Sequence, residues 1–330
     1  MKSNPKVAVI GAGIAGLSCA TSLKAAGIDL TLLDKSRGPA GRMSTRRGDD
    51  WQCDHGAQYF TARDPAFRAE VARWQHAGVA DLWRARIAVL GEAGEHGADF
   101  ALERFVGVPR MTAPARFLAD ALPLTVQTTV TEIRPSPDGW WLVSAEHGLH
   151  PKRFDAVLLA VPAPQAVPLL RTTAPGLANL SARANMRGSW ALMLRYDAPV
   201  ALPFDAAFVN SGPLRWIARD SSKPGRPSGE TWLLHATAEW SEAHIEATPE
   251  AVADTLLRAF AELGAPPPEA WTAHRWRYAD TEPPLDACHV WDVDRRIGLC
   301  GDWLNGGKVE GAWLSGRSLA QDVLQHFGRP

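Results

Sequence analysis

The chain has 330 residues, 35 of them basic and 36 acidic, and its net charge of −1 gives no general reason to expect a nucleic acid or an anionic membrane as a partner. Its length predicts two domains, because single cores stop growing near ~250–300 residues. Cys19, Cys53, Cys288 and Cys300 show no C-x-x-C spacing, which favours small core residues over a metal site. There is no run of ~18 apolar residues and no cleavable leader, so we expect a cytoplasmic protein.

The first predicted element is an apolar strand over residues 7–10, followed by the glycine turn Gly11-Ala12-Gly13-Ile14-Ala15-Gly16. Gly11 permits a tight turn, Gly13 lets backbone N–H groups approach a pyrophosphate, and Gly16 brings the next helix close to the strand. Asp34 ends a second strand, where a carboxylate can accept hydrogen bonds from both ribose hydroxyls. This order predicts dinucleotide binding, and the carboxylate disfavours a 2′-phosphate on the bound adenosine.

The loop after Asp34 is unusually basic. Residues 35–47 hold five basic residues in thirteen, among them Lys35 and the Arg42 that follows Gly41. An NAD-binding Rossmann unit needs no such loop. In a glutathione-reductase-type FAD domain, by contrast, an arginine after glycine reaches back to the FAD pyrophosphate. The loop therefore favours FAD, and the alternative is a solvated basic loop.

The middle of the chain predicts two kinds of sheet. Residues 125–161 are a hairpin-rich section: a partly alternating strand is predicted at 124–133, a turn at 135–139 and a buried strand at 155–162. Beyond residue 166 there are Trp-rich strand candidates, which indicate an antiparallel sheet that could roof a flat cofactor. A helix is predicted between Thr248 as N-cap and Gly264, and the Gly/Pro/Ser-rich residues 221–229 predict a mobile loop. The strand candidates lie at 188–196, 214–219, 231–239 and 270–278.

The last predicted unit is a buried strand at 296–300, then Gly301-Asp302, then a helix that opens near Val309-Glu310-Gly311-Ala312 and runs to about Phe327. Small residues keep the helix start uncluttered, so that its N–H groups can face an anion or a developing negative charge. Asp302 can bind ribityl hydroxyls. The alternative is an ordinary strand–loop–helix unit.

Taken together, the glycine turn, residues 41–46, residues 54–61 and Gly301-Asp302 resemble the FAD-dependent amine-oxidase-type superfamily, and more closely its renalase branch. Residues 275–279 and 301–312 strengthen the closer match, which covers essentially the whole chain. The resemblance implies non-covalent FAD and oxidation of misreduced nicotinamide dinucleotides. The implied and motif-based cofactor contacts are Gly11, Ala12, Gly13, Gly16, Asp34, Lys35, Gly41, Arg42, Ala57, Gln58, Val130, Asp302, Val309, Gly311 and Ala312.

The predicted fold class is α/β. A glutathione-reductase-type Rossmann FAD domain, made of residues 1–72, 116–165 and 291–330, joins a mostly antiparallel-sheet substrate domain made of residues 73–115 and 166–290. The expected architecture is of the p-hydroxybenzoate hydroxylase and amine-oxidase type. We expect a monomer or a weak dimer.

Amine oxidases of this superfamily place a lysine near flavin N5 from the substrate domain. Here Lys223 is the only lysine between Lys152 and Lys308, and its loop places it badly for that role. Its context favours renalase-like chemistry over amine oxidation. The candidate catalytic residues are Tyr59, Asn185, Arg187, His235 and Trp276; sheet packing or a solvated strand end is the alternative for each. His55 after Asp54 looks like a metal dyad, but no further ligand stands at useful spacing.

The predicted function is oxidation of 2-dihydro- and, in some members, 6-dihydro-NAD(P). The resemblance implies that hydride passes to flavin N5, that O₂ reoxidises the flavin to give H₂O₂, and that NAD(P)⁺ is released. Oxidising a dihydropyridine needs no strong base, since aromaticity drives the loss of hydride. The alternatives are an FAD-dependent amine oxidase, or a dehydrogenase of another small donor, and a flavin-binding sensor without turnover.

Overall fold

A computed structural model describes residues 4–91 and 101–328. The described residues form eight α-helices and nineteen strands. The helices are α1 (Ile14–Ala25), α2 (Pro65–His76), α3 (Ala113–Ala119), α4 (Ala163–Leu170), α5 (Pro175–Ala182), α6 (Ala238–Ala243), α7 (Pro249–Glu262) and α8 (Val309–His326).

The strands are β1 (Lys6–Ile10), β2 (Asp29–Leu33), β3 (Thr45–Arg47), β4 (Gln52–Asp54), β5 (Ala80–Leu82), β6 (Ile87–Leu90), β7 (Phe105–Gly107), β8 (Leu124–Thr125), β9 (Val130–Ser136), β10 (Gly139–Ser144), β11 (Gly148–Leu149), β12 (Ala156–Leu159), β13 (Met186–Tyr196), β14 (Ala206–Val209), β15 (Leu214–Arg219), β16 (Glu230–Ala236), β17 (Ala270–Thr281), β18 (His289–Asp292) and β19 (Ile297–Cys300).

The first sheet is the dinucleotide-binding sheet that the sequence predicts. Its strand order is β18-β19-β12-β1-β2-β8, and all neighbours are parallel except the edge pair β18–β19. Strand β1 lies at its centre, and four of its five residues are buried. Because parallel sheets are covered on both faces, such central strands are apolar throughout. The β9–β10–β11 meander forms a separate antiparallel sheet, as predicted.

The second large sheet has the order β17-β13-β16-β15-β14-β6, and it is antiparallel except at β14–β6. Helix α7 begins and ends as predicted: the Thr248 hydroxyl accepts a hydrogen bond from the Ala251 N–H, and Pro249 is the first helical residue. Its apolar side chains pack on this sheet and build a separate core with Trp232 and Phe260. The mixed α/β class is therefore confirmed.

The domain boundaries stay a prediction. The strands of the parallel sheet come from the segments assigned to the FAD domain, except that β18 already begins at His289. The predicted segments also include residues 1–3, 92–100 and 329–330, which lie outside the described residues. Within residues 4–91 and 101–328, no helix combines the length and the apolarity needed to cross a bilayer.

Two local predictions are wrong. The continuous strand expected at 124–133 is divided, because Gln127 takes a positive φ of 51°; β8 then joins the parallel sheet and β9 the meander. The loop at 221–229 is not free along its whole length, because Lys223 is only 2% exposed and the Arg226 side chain only 1%. Cys19 and Cys300 are buried, as the core interpretation predicts.

Helices α1 and α8 cross closely at Gly316. A Cβ atom at Gly316 would overlap the Ala15 carbonyl oxygen, whereas a Cβ atom at Gly176, in the first turn of α5, would meet nothing within 4 Å. We expect Gly316→Ala to lower the stability by about 1–3 kcal/mol, since the helix backbones must move apart. Gly176→Ala is the matched control and should be neutral or slightly stabilising. Equal melting temperatures for the two variants in thermal unfolding would contradict this packing argument.

Candidate functional site

A cavity of about 1930 Å³ opens where the parallel sheet faces the antiparallel sheet. Ligands of open α/β sheets bind at the carboxyl ends of the strands, and the residues after β1 and β2 line this cavity. Eleven basic and four acidic side chains are among its lining residues. The excess of positive charge suits phosphate-bearing ligands better than cations.

The glycine turn forms one end of the cavity. Gly11 has a φ of +106°, and its N–H donates to the Leu33 carbonyl oxygen at 2.8 Å. A Cβ atom at Gly16 would overlap the Gly11 carbonyl oxygen, so glycine is required for helix α1 to begin this close to β1. At Gly13, which lines the cavity, a Cβ atom would meet no protein atom within 4 Å. The turn therefore leaves open the space that a pyrophosphate would occupy.

Asp34 lies at the end of β2, next to this turn, and lines the cavity. Its Oδ2 accepts a hydrogen bond from the Ala12 N–H at 2.6 Å, and its Oδ1 accepts one from the Ser36 N–H at 2.7 Å. These bonds fix the orientation of the Asp34 carboxylate, to which the ribose hydroxyls of a bound dinucleotide would donate. Lys35 and Val130 line the same region, and the Lys35 ammonium donates to Gln165 Oε1 at 3.0 Å.

Arg42 joins the two halves of the predicted cofactor site. It follows Gly41, whose φ is +55°. Its guanidinium makes a bidentate pair with Asp302, with Nη1 2.9 Å from Oδ2, and Nη1 also donates to the Ala279 carbonyl oxygen at 3.0 Å. Burial would lower the pKa of Arg42, but the Asp302 charge outweighs burial and raises it. A permanent cation therefore stands where the sequence predicts the pyrophosphate contact.

Val309 and Ala312, at the start of α8, also line the cavity, whereas Gly311 is buried behind them. A Cβ atom at Gly311 would overlap the Asn305 carbonyl oxygen. Its role is therefore to let the loop after Asp302 pass close to the helix. Ala12 and Gly16 likewise shape the turn without lining the cavity. The donors, the open cradle at Gly13 and the basic lining together fit an FAD molecule.

The opposite wall is a cluster of three histidines and one tryptophan, which we call the aromatic roof: His55, His235, His274 and Trp276. The His55 carbonyl oxygen accepts a hydrogen bond from Trp276 Nε1 at 2.8 Å and lies 3.1 Å from His235 Nε2. The His55 ring stacks on Trp276 at 5.3 Å between centroids and meets His274 edge-on at 4.6 Å. His235 and His274 both pair with Ala191 across three neighbouring strands, which places them in one row.

The histidines of the aromatic roof are neutral at physiological pH. Burial, with the neighbouring His274 and Arg46, lowers the pKa of His55 to about 3. Burial lowers the pKa of His235 to about 4, and burial with Arg46 does the same for His274. Arg46 Nη2 lies 3.4 Å from His274 Nδ1. Among the described residues, His55 Nδ1 is a buried atom without a hydrogen-bond partner.

The other predicted residues divide into two groups. Tyr59 and Gln58 line the cavity together with Ala57, and the Tyr59 ring lies 5.6 Å from the Trp216 ring. Asn185 and Arg187 are not among the residues that line it, so the geometry gives no support to their assignment to substrate binding. Asn185 Nδ2 donates to the Glu282 carbonyl oxygen at 3.2 Å.

Arg187 is held by three glutamates, Glu239, Glu242 and Glu282, at 2.7–3.2 Å. These partners follow Arg187 by more than fifty residues in the chain, so no local sequence pattern predicts the ion pairs. They turn Arg187 into a surface ion-pair centre rather than a ligand contact.

Sequence reasoning missed His55, His274 and Arg46 as site residues. One signal was available for His274, because residues two apart on a strand share a face and Trp276 was already a candidate. For His55 the sequence offers only a superficial likeness to a metal dyad with Asp54. Within the part of the chain that the structure describes, no group of His, Cys, Asp and Glu could hold a metal ion.

The fold and the site define a flavin-dependent oxidoreductase with FAD as its cofactor. Comparisons with known proteins agree. The profile of an NAD(P)-binding Rossmann-like domain matches residues 9–74, and that of the flavin containing amine oxidoreductases matches residues 82–324. The chain belongs to this family of flavin containing amine oxidoreductases.

Individual relatives are more distant. The chain is 47% identical to a hydroxyneurosporene desaturase of Rubrivivax gelatinosus over 58 residues, which span 18% of this chain and 11% of the desaturase. A provisionally assigned protoporphyrinogen oxidase from Exiguobacterium sp. 255-15 shares the fold over the full length of both chains, with a TM-score of 0.77 and 13% identity. Putrescine oxidase bound to putrescine aligns over 98% of this chain and 99% of its own, with a TM-score of 0.73 and 12% identity. These similarities show the fold and leave the substrate open.

The first prediction for the site concerns Arg42. Arg42→Met should weaken FAD binding by about tenfold to a hundredfold, because charge-assisted hydrogen bonds contribute about 1.5–3 kcal/mol. FAD titration of the apoprotein, followed by fluorescence or calorimetry, measures the loss. Arg258→Met is the control, since Arg258 is 70% exposed on α7 and pairs only locally with Asp254. If both variants bind FAD like the unaltered protein, Arg42 does not hold the cofactor.

Proposed function

We propose that this protein oxidises misreduced nicotinamide dinucleotides, the 2-dihydro and 6-dihydro isomers of NAD(P)H, in a renalase-like reaction. The dihydropyridine loses a hydride and becomes NAD(P)⁺, while O₂ takes up the two electrons and, with the hydride's proton and one proton from solvent, becomes H₂O₂. Bound FAD would supply the hydride acceptor and the reaction with O₂. The protein then has to bind the dinucleotide, orient its ring and avoid opposing the charge that develops there.

The observation that carries this proposal is the neutral aromatic roof. Positive charge develops on the pyridine ring as the hydride leaves, so a protonated histidine beside the ring would oppose the reaction. His55, His235 and His274 have pKa values of about 3 to 4 and carry no charge at physiological pH. The Trp276 indole adds an aromatic face, which attracts a cationic ring.

The size and charge of the cavity support the same class of substrate. Its volume of about 1930 Å³ exceeds the ~300–1,000 Å³ of a site for one drug-sized ligand. The cavity is therefore larger than a site for one small amine requires. Arg46, Arg275 and Arg277 line the roof side. Arg275 and Arg277 share one carboxylate, that of Glu246, so the group keeps a net positive charge that would attract a pyrophosphate and repel an ammonium group.

The roof residues would act by orientation. His235 and Trp276 both hold the His55 peptide, so they fix the ring of His55 against the cavity. Holding a reactant in a reactive geometry accelerates a reaction without acid–base chemistry. No side chain has to remove a proton from the dihydropyridine.

Amine oxidation is the second candidate, and the match to the amine oxidoreductase family favours it. Among the described residues, the lysines that line the cavity are Lys35 and Lys308, both outside the antiparallel sheet. Lys223 is buried and bound by Asp54 and Asp220. A lysine from the substrate side is thus not offered to a bound amine.

Anaerobic stopped-flow mixing tests the substrate class. The FAD-loaded protein is mixed with borohydride-generated NADH isomers, with ordinary NADH, or with putrescine as a representative amine. We expect the visible absorbance of the flavin to disappear rapidly with the 2-dihydro or 6-dihydro isomer and not with the amine. Reduction by the amine alone would establish amine oxidation instead. Reduction by none of these donors would indicate a flavin-binding sensor.

The pH dependence of flavin reduction gives an independent prediction. Because the roof histidines have pKa values of about 3 to 4, they stay neutral as the pH falls from about 8 to about 5. We expect a constant hydride-transfer rate over that range and a decline only as the pH falls further and imidazolium forms. An amine must first lose its proton, so its rate would rise towards its pKa, about 10.4 for a lysine-type amine. A break near pH ~6.5 would contradict the neutral roof.

A further inference from the structure

Lys223 belongs to a buried group of four charges, which we call the charge quartet: Asp54, Asp220, Lys223 and Arg226. The Lys223 ammonium lies 3.1 Å from Asp54 Oδ2 and 2.7 Å from Asp220 Oδ1. The Arg226 guanidinium contacts the same Asp54 oxygen and lies 3.6 Å from Asp220 Oδ2. All four side chains are 0–1% exposed. Two positive and two negative charges cancel, so the quartet is neutral as a whole.

The quartet connects separate parts of the fold. Asp54 ends β4 on the cofactor side, and its Oδ1 accepts hydrogen bonds from the Thr45 hydroxyl at 2.6 Å and the Met111 N–H at 3.1 Å. Asp220, Lys223 and Arg226 follow β15 of the antiparallel sheet. Burial would raise the pKa of Asp54, but Lys223 and Arg226 hold it well below its usual range. The quartet is thus an ionic link between the cofactor loop and the substrate-side sheet.

A third acceptor on Lys223 connects the quartet to the cavity. Lys223 Nζ also lies 3.2 Å from Gln58 Oε1. An ammonium group has three donors, and Asp54, Asp220 and Gln58 occupy all three. The other end of the Gln58 amide donates to the Asp54 carbonyl oxygen at 2.8 Å and the Gly56 carbonyl oxygen at 3.1 Å. These partners fix which way the amide faces.

Gln58 in turn belongs to the wall that Arg42 shares. Ala57, Gln58 and Tyr59 all line the cavity, and the Ala57 N–H donates to the Arg42 carbonyl oxygen at 2.9 Å. A Cβ atom at Gly56 would overlap that same carbonyl oxygen. A shift of Gln58 would therefore move the wall on which the Arg42 loop rests.

We propose that Lys223 is a positioning residue: through the charge quartet it fixes the Gln58 amide and thereby the cavity wall that receives FAD. A buried ion pair is a weak source of stability, because desolvation offsets much of the attraction. Its better-supported use is to specify one arrangement of the groups around it, and the Lys223–Gln58 contact is such an arrangement. Lys223 acts here without touching the substrate.

The test removes the Lys223–Gln58 contact while keeping the buried charge balanced. Lys223→Met alone leaves two carboxylates facing Arg226, so we expect a lower melting temperature and weak FAD binding. Lys223→Met combined with Asp220→Asn leaves the neutral pair Asp54 and Arg226. This double variant should recover most of the melting temperature yet bind FAD about tenfold more weakly than the unaltered protein, a coupling within the usual range for contacting residues. Lys152→Met, on an exposed lysine, is the control for loss of a lysine.

A third substitution separates positioning from simple stabilisation. Gln58→Leu should weaken FAD binding about tenfold in the unaltered protein but less than about twofold in the double variant, where the Gln58 contact is already lost. Equal effects in the two backgrounds, or a double variant that binds FAD like the unaltered protein, would overturn the proposal. FAD titration and thermal unfolding need no substrate, so the outcome does not depend on the proposed reaction.

Discussion

The peptide group of His55 is the contact on which the rest of the site depends. Its carbonyl oxygen receives the Trp276 N–H from β17 and lies against His235 on β16. One residue earlier, Asp54 pairs with Thr45 across the β3–β4 ladder, and one residue later, Gly56 packs on the Arg42 carbonyl oxygen. Three consecutive residues therefore join the cofactor loop to the antiparallel sheet. A displacement of this segment would disturb the roof, the Arg42 wall and the charge quartet at once.

The features that could be predicted from the sequence are those whose cause is local. A glycine turn needs particular backbone angles at Gly11. Helix α7 begins after Thr248 because the Thr248 hydroxyl accepts a hydrogen bond from one N–H of the first turn and Pro249 has no N–H that needs a partner. Both are recognisable within a few neighbouring residues. The division of the strand at 124–133 was missed, because Gln127 adopts a positive φ that no local residue type requires. Its cause is the pairing of β8 with β2.

The features that could not be predicted have partners far along the chain. Arg187 stands at a strand end and its position suits a ligand contact, yet three distant glutamates hold it. Lys223 lies in a Gly/Pro/Ser-rich stretch that is typical of a mobile loop. Its ion pair with Asp54, which is 169 residues away in the sequence, nevertheless holds it in the interior. A buried charge costs much free energy unless a partner is present, and only the tertiary structure shows the partner.

The basic lining near the glycine turn and the neutral groups near the roof meet different requirements at the two ends of one cavity. Near the glycine turn, basic residues outnumber acidic ones in the lining and keep positive charge where phosphates would bind, and Asp302 holds the Arg42 guanidinium in place. Near the roof, burial keeps the imidazoles uncharged. The two positive and two negative charges of the quartet cancel one another, so the quartet presents no net charge to the cavity. If Lys223 were instead exposed to the cavity, its ammonium would oppose a ring that becomes positive. Sequestering Lys223 in a neutral quartet thus directs the lysine's hydrogen bonds to the protein wall and keeps one more cation away from the reacting ring.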